Sequence, residues 1–218
     1  MSYQTMLASL GEGFLTTLAI FAITVVGSMP LGLLVYFGKV SKIAPIRWFI
    51  NFFLSVIRGT PLMLQLMVVY FGPSLIFHTT LPGNWRFTAV AIAFIINYAA
   101  YFAEIYRGGI ESISPGQYEA AEVLGYSKSQ TFIRIILPQM IKCTIPAITN
   151  ELITLVKDTS LASIIGTMEM FTRAKQIAVA PNTPGMMTFV AAAVFYYVFN
   201  YIVAIVMERA EKKINYYD

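Results

Sequence analysis

Charge is the scarcest commodity in this chain: only 12% of its 218 residues are Asp, Glu, Lys or Arg, against 57% hydrophobic. A single cysteine, Cys143, rules out an internal disulfide and reads as a small apolar residue. With one histidine, His78, and no HExxH pair, His–Cys arrangement or GxSxG elbow, the parts of an intramembrane enzyme are missing. No GxxxxGK[ST] phosphate-binding loop occurs either, so the chain cannot cradle ATP by that mechanism. The first dozen residues, MSYQTMLASLGE, carry no Lys or Arg; without the basic region of a cleavable signal, the first apolar run is expected to stay as a span.

What is present is apolar and aromatic, with 16 Phe, 13 Tyr and 11 Met, in runs that reach the roughly 18–20 residues needed to cross a bilayer. The runs Phe14 to Gly38, Phe87 to Tyr106 and Met186 to Met207 are nearly free of charge. Two others are interrupted: Trp48 to Phe77 holds Arg58, Pro61 and Pro73, and Ile135 to Gly166 holds Lys142, Glu151, Lys157 and Asp158. Each is long enough for a kinked span. The expected fold is therefore an all-α integral membrane protein with five transmembrane helices, forming one domain over residues 1–218.

Five spans place the termini on opposite sides. With the N-terminus outside, inner segments hold Lys39, Lys42 and Arg47, then Arg107, Lys128 and Arg134, then Arg209, Lys212 and Lys213, whereas outer ones hold Arg86, Arg173 and Lys175. This excess favours N-out, C-in. Basic cytoplasmic loops also account for the pI of 9.1 without any nucleic-acid partner.

One cytoplasmic stretch, residues 114–138, is unlike its surroundings. Ser114, Pro115 and Gln117 read as N-cap, first helical position and capping-box partner of a short helix ending at Gly125, which suits a left-handed C-terminal cap. Ser127 and Gln130 repeat the capping-box spacing for a second helix running toward Pro138. Tyr118, Ala121 and Leu124 fall on one face of the first helix beside Glu119 and Glu122, which suits a groove on another protein. An interfacial helix would carry Lys and Arg on its polar face, where this one carries glutamates. Packing of the helix on its own chain is not excluded by periodicity.

These residues resemble a family. EAAEVLG, followed by a hydrophobic stretch ending in ILPQ, is similar to the EAA loop of membrane subunits of ATP-binding-cassette (ABC) importers. IRGTPLMLQL (57–66), EIYRGGIESISPGQ (104–117) and LVKDTSLASIIG (155–166) resemble permeases of the polar amino acid subfamily, which handles histidine, arginine, glutamine, glutamate, cystine and opines. The resemblance covers nearly the whole chain. It implies the type I importer membrane fold in a bacterial-type inner membrane, with Glu119, Ala120, Ala121, Leu124 and Gly125 coupling to the ATPase. It further implies two cytoplasmic ATPase subunits that carry ATP and Mg, an extracytoplasmic amino acid binding protein, and a second membrane subunit, either a copy of this chain or a paralogue. A twofold assembly of one chain is the simpler expectation. The rival class, a membrane scaffold or channel without ATP coupling, leaves the EAA resemblance unexplained.

An ionisable side chain at the bilayer centre costs roughly 2.5–3.5 kcal/mol on insertion scales, so those inside the spans are expected to face a cavity or one another. Arg58 stands beside Gly59, Thr60 and Pro61, which break or kink the span and free backbone groups to line a cavity. Its guanidinium has two readings, a two-pronged partner for a substrate carboxylate or a tie between helices. Glu151 and Asp158 are seven residues apart on nearly one helical face, with Asn150, Thr154 and Lys157 on an adjacent stripe and the hydroxyls of Thr159 and Ser160 nearby. Lys157 and Asp158 either contact ligand or neutralise each other. Glu104 and Arg107, and Glu208 and Lys212, have the spacing of local helix pairs. His78 is expected solvated in an outer loop.

Overall fold

The structure is a computed structural model, and it describes residues 2–181, 183 and 185–214. Among these residues every regular element is helical: α1 (Tyr3–Lys39), α2 (Ala44–Gly59), α3 (Leu62–Phe77), α4 (Trp85–Glu111), α5 (Pro115–Val123), α6 (Lys128–Thr131), a π-helical turn (Phe132–Ile136), α7 (Leu137–Asp158), a 3-10 segment (Thr159–Ile165), α8 (Met170–Val179) and α9 (Met186–Ile214). Four helical stretches are long and apolar enough to cross a membrane, α1, α4, the continuous run Lys128–Ile165 and α9. A fifth crossing is available if α2 and α3 count as one broken span.

Helix α4 is the axis of the fold, packing against α1, α2, α3 and α7. Its sequence allows this because Ala89, Ala93, Ala99, Ala100 and Ala103 are small and buried, letting neighbouring backbones come close. The approach is tightest at Gly109, where a Cβ would lie 2.2 Å from Thr144 Cγ2 of α7. Between the small residues Phe94 and Phe102 are wholly buried and fill the centre with Ile20, Leu66, Leu155 and Val156. Outward faces remain apolar, as at Leu15, Val26 and Leu34 of α1 and Val194, Tyr197 and Tyr201 of α9, which is how a helix facing hydrocarbon reads.

The second apolar run is broken more sharply than a kink. Its halves meet at 107°, and the cause is local. Pro61 pushes the preceding residue out of the helical region, Thr60 is extended at φ −122° and ψ 146°, and a new helix starts immediately afterwards. The first span also differs from expectation, since its helix begins at Tyr3, well before the uncharged run. Ser2 Oγ accepts the Thr5 amide, and Met6 and Leu10 are buried against Met170, Ala174 and Ile177. That contact explains α8, a helix unforeseen in the loop before the last span. Cys143 is exposed and takes no part in the core.

Candidate functional site

Two regions gather the chemistry. In the 114–138 segment, Ser114 Oγ accepts the Gly116 amide at 3.3 Å and Pro115 occupies the first turn of α5. The helix ends in a Schellman motif: Gly125 has φ +78°, its amide bonds Glu122 O at 2.9 Å, and the Tyr126 amide bonds Ala121 O at 3.0 Å. Ser127 and Gln130 then form a full capping box, with Ser127 Oγ accepting the Gln130 amide and Gln130 Oε1 accepting the Ser127 amide. Gln117 does otherwise. Instead of closing a box on Ser114, its Oε1 accepts from Gln139 Nε2 at 3.2 Å, fastening α5 to the start of α7.

The apolar face of α5 is also divided. Ala121 turns inward and is 1% exposed, so the small residue packs on its own chain, whereas Val123 and Leu124 stand out at 87% and 73% exposed. Glu119, Ala120 and Glu122 are exposed beside them. A groove of about 590 Å³ lies next to this patch, lined by Tyr118, Glu122, Tyr126, Lys128 and Phe132. Val123 escaped sequence reading because helical spacing favoured the Tyr118–Ala121–Leu124 row.

The second region is a cavity of about 300 Å³ where the break between α2 and α3 faces α4 and α7. Thr60, Asn97, Tyr98, Tyr101, Glu151 and Asp158 are among its walls. The structure thus brings together Thr60, Glu151 and Asp158, and adds three α4 residues that no local motif marks. Tyr98 donates its hydroxyl hydrogen to Asp158 Oδ2 at 2.8 Å, leaving the other carboxylate oxygen for a further donor. Two carboxylates thus line one small cavity.

Other expected site residues lie elsewhere. Arg58 Nη1 is 3.5 Å from Glu104 Oε2, and its guanidinium lies over the Tyr101 ring at 5.9 Å, outside the cavity lining. Glu104 also pairs with Lys39 and, at 2.9 Å, with Arg107, so one carboxylate gathers cations from α1, α2 and α4. Gly59 has open space around it. Lys157 and Asn150 are exposed away from the lining, and of the expected polar stripe only Thr154 reaches the cavity. Thr159 and Ser160 turn their hydroxyls back onto the carbonyls of Val156 and Lys157, both at 2.7 Å. Helices starved of water satisfy polar side chains in this way.

Residues 28–216 match the model of a family described as the binding-protein-dependent transport system inner membrane component. The chain belongs to that family. It is 34% identical over 209 residues to the L-cystine transport system permease protein TcyB of Bacillus subtilis, covering 95% of this chain and 87% of that one. The arginine transport system permease protein ArtQ of Bacillus subtilis is 36% identical, covering 94% and 91%, and a putative glutamine transport system permease protein GlnP of Rickettsia felis is 36% identical, covering 93% and 91%. A crystal structure of an amino acid ABC transporter with histidines aligns with a TM-score of 0.87 at 31% identity, over 98% of this chain and 99% of the other. The MetNI methionine ABC transporter in an inward-facing form shares the fold, with a TM-score of 0.73 at 18% identity over 99% and 100%. The chain is therefore a multi-pass inner-membrane permease subunit of an ABC importer with the type I membrane fold. It is a transporter and not an enzyme; ATP hydrolysis resides in a separate partner.

Proposed function

We propose that this permease carries a polar amino acid, delivered by an extracytoplasmic binding protein, through the cavity between the α2–α3 break, α4 and α7. The observation that supports this most is the pairing of Glu151 and Asp158 in one cavity with Thr60 and Tyr98, where an amino acid ammonium meets carboxylates and hydroxyls. Buried carboxylates are costly in a membrane, and a cavity that admits a cationic group offsets that cost. Arg58, held on Glu104 beside Tyr101, stands at the edge of this space as a tie between helices.

On the inner face, two ATPase subunits carrying ATP and Mg dock on the 114–138 segment of two permease chains, this one and a second copy, with Glu119, Ala120, Ala121, Leu124 and Gly125 in the coupling region. The exposed Val123 and Leu124 supply the apolar contact and the Gln117–Gln139 bond carries motion of α5 into α7. Closure of the ATPases then tilts α5 as a lever and switches the bundle between outward-open and inward-open states. The charge bias of the loops supports N-out, C-in.

Reconstitution in liposomes with the ATPase and the binding protein tests the whole reading. ATP-dependent uptake of labelled arginine, glutamine or cystine is the expected result. A permease that neither copurifies with the ATPase nor raises its turnover when loaded binding protein is added would be a scaffold or channel.

A further inference from the structure

A helix that stops inside a membrane leaves carbonyls without partners, and α2 stops at Gly59 in the middle of an apolar run. Pro61 has no N–H to offer them. The donor comes from the next helix: Gln65 Nε2 lies 2.8 Å from Ile57 O, 3.1 Å from Thr60 O and 2.8 Å from Thr60 Oγ1. Its two amide hydrogens are shared among these three acceptors. The other end of the same amide is also engaged, since Gln65 Oε1 accepts from Asn97 Nδ2 at 3.0 Å. Asn97 is 4% exposed and forms part of the cavity wall.

The clamp has a second point. Glu104 lies two helical turns beyond Asn97 on the same face of α4, and it holds Arg58 from the last turn of α2. Tyr101 sits between the two points, with the guanidinium above it. Leu54, Leu62 and Leu66 anchor the flanking helices in the core, but the break itself is loosely packed, since Gly59 has no neighbour within 4 Å of where a Cβ would be. Polar bonds hold it.

We propose that Gln65 is a positioning residue for transport: its amide fixes the Thr60–Pro61 break against Asn97 and so sets the distance of Thr60 from the Glu151 and Asp158 side of the cavity. This rests on the reading of that cavity as the amino acid passage. A proline alone would bend the chain without specifying where the broken end sits relative to α4. The Gln65 amide specifies it, since one planar group contacts α2, the break and α4 together.

The test uses the complete importer in liposomes and whichever of labelled arginine, glutamine, cystine or histidine the wild type takes up fastest. Gln65→Met keeps length and approximate volume while removing both donors and the acceptor. Its maximal uptake at saturating loaded binding protein is expected to fall about tenfold, with the half-saturating binding protein concentration and the basal ATPase rate unchanged. Asn97→Leu should reduce maximal uptake in the same direction, and the double variant should lose no more than the worse single, the signature of one network. Gln65→Glu, which keeps an acceptor and loses the donors, should resemble Gln65→Met. Wild-type maximal uptake in Gln65→Met overturns the proposal. So does loss of assembled complex in both single variants with uptake per assembled complex unaltered, which marks a purely structural role. Asp158→Asn serves as the control: if it transports normally the cavity reading fails, whereas if it is impaired and Gln65→Met is not, only the positioning role fails.

Discussion

Tyr98 of α4 donates a hydrogen bond to Asp158 of α7 across 2.8 Å, joining two walls of the cavity from positions 60 residues apart in the chain. Hydrogen bonds to charged groups are worth about 1.5–3 kcal/mol, more than most single contacts in the bundle. Asp158→Asn removes the charge and keeps the shape, so substrate uptake should fall about tenfold or more, the equivalent of ~1.4 kcal/mol in transition-state stabilisation. Tyr98→Phe should lose less, because Asp158 keeps its charge. Initial-rate uptake measured with matched amounts of assembled complex checks both, and a Tyr98→Phe variant worse than Asp158→Asn would contradict this ordering.

Gly125 sits at φ +78° at the end of α5 with nothing within 4 Å of a Cβ, so the constraint there is conformational and not spatial. A left-handed residue other than glycine costs on the order of 1–2 kcal/mol, and a β-branched one is the hardest to place. Gly125→Val should therefore unwind the Schellman turn, leave insertion intact and abolish ATPase stimulation by loaded binding protein. Normal transport by this variant would sink the lever mechanism.

Sidedness follows from the basic residues. Cysteines at Ser41 and Ser127 should react with an impermeant thiol reagent only from the cytoplasmic face, and one at Thr183 only from outside, each in a background where Cys143 is replaced. Labelling of Ser127→Cys in intact cells would reverse the topology.

Glu169 caps α8 with no exposed surface, accepting the amides of Phe171 and Thr172 at 2.6 Å each and the Tyr196 hydroxyl at 3.2 Å. Burial pushes its carboxyl above the ordinary carboxylate value, outweighing the hydrogen bonds that favour the anion. A raised folded value means the folded chain holds this proton more tightly, so the stabilisation is complete below the unfolded value near 4.5 and is lost as pH rises through the folded one. Glu169→Gln keeps an acceptor for the cap and removes the titration. In detergent, the Tm difference between wild type and variant should drift against the wild type as pH rises through that window. A difference that is flat in pH would dissociate Glu169 from the effect.

Local chemistry was legible and tertiary pairing was not. Pro115, Gly125, Ser127 and Gln130 act within a few residues of themselves, so their spacing already describes the α5 turn and the second cap. Pro61 signals a break, but neither its 107° angle nor the bond between Gln65 and Asn97, a partner 32 residues on, can be read locally. For the same reason, Glu151 and Asp158 could be placed on one face while their companion Tyr98 could not be named. Arg58 carries two readings in the sequence, ligand partner or helix tie, and only the fold reveals Glu104 opposite it. Helix α8 was hidden because its N-cap is a glutamate, a residue rarely read as a cap, and because it is only ten residues long.

The π turn at Phe132–Ile136 decides where this helix can lose a residue. Its wider ring, closed by the Leu137 amide on Phe132 O, accommodates a residue more than an α-helical turn would. Deleting one residue there would let the turn relax to an α-helix with the side chains beyond it kept nearly in phase, whereas the same deletion within α7 would rotate every later side chain by about 100° about the helix axis. Glu151 and Asp158 would swing off the cavity wall in the second case and not in the first. The phase between the 114–138 loop and the Glu151–Asp158 face is thus buffered at one turn and fixed beyond it.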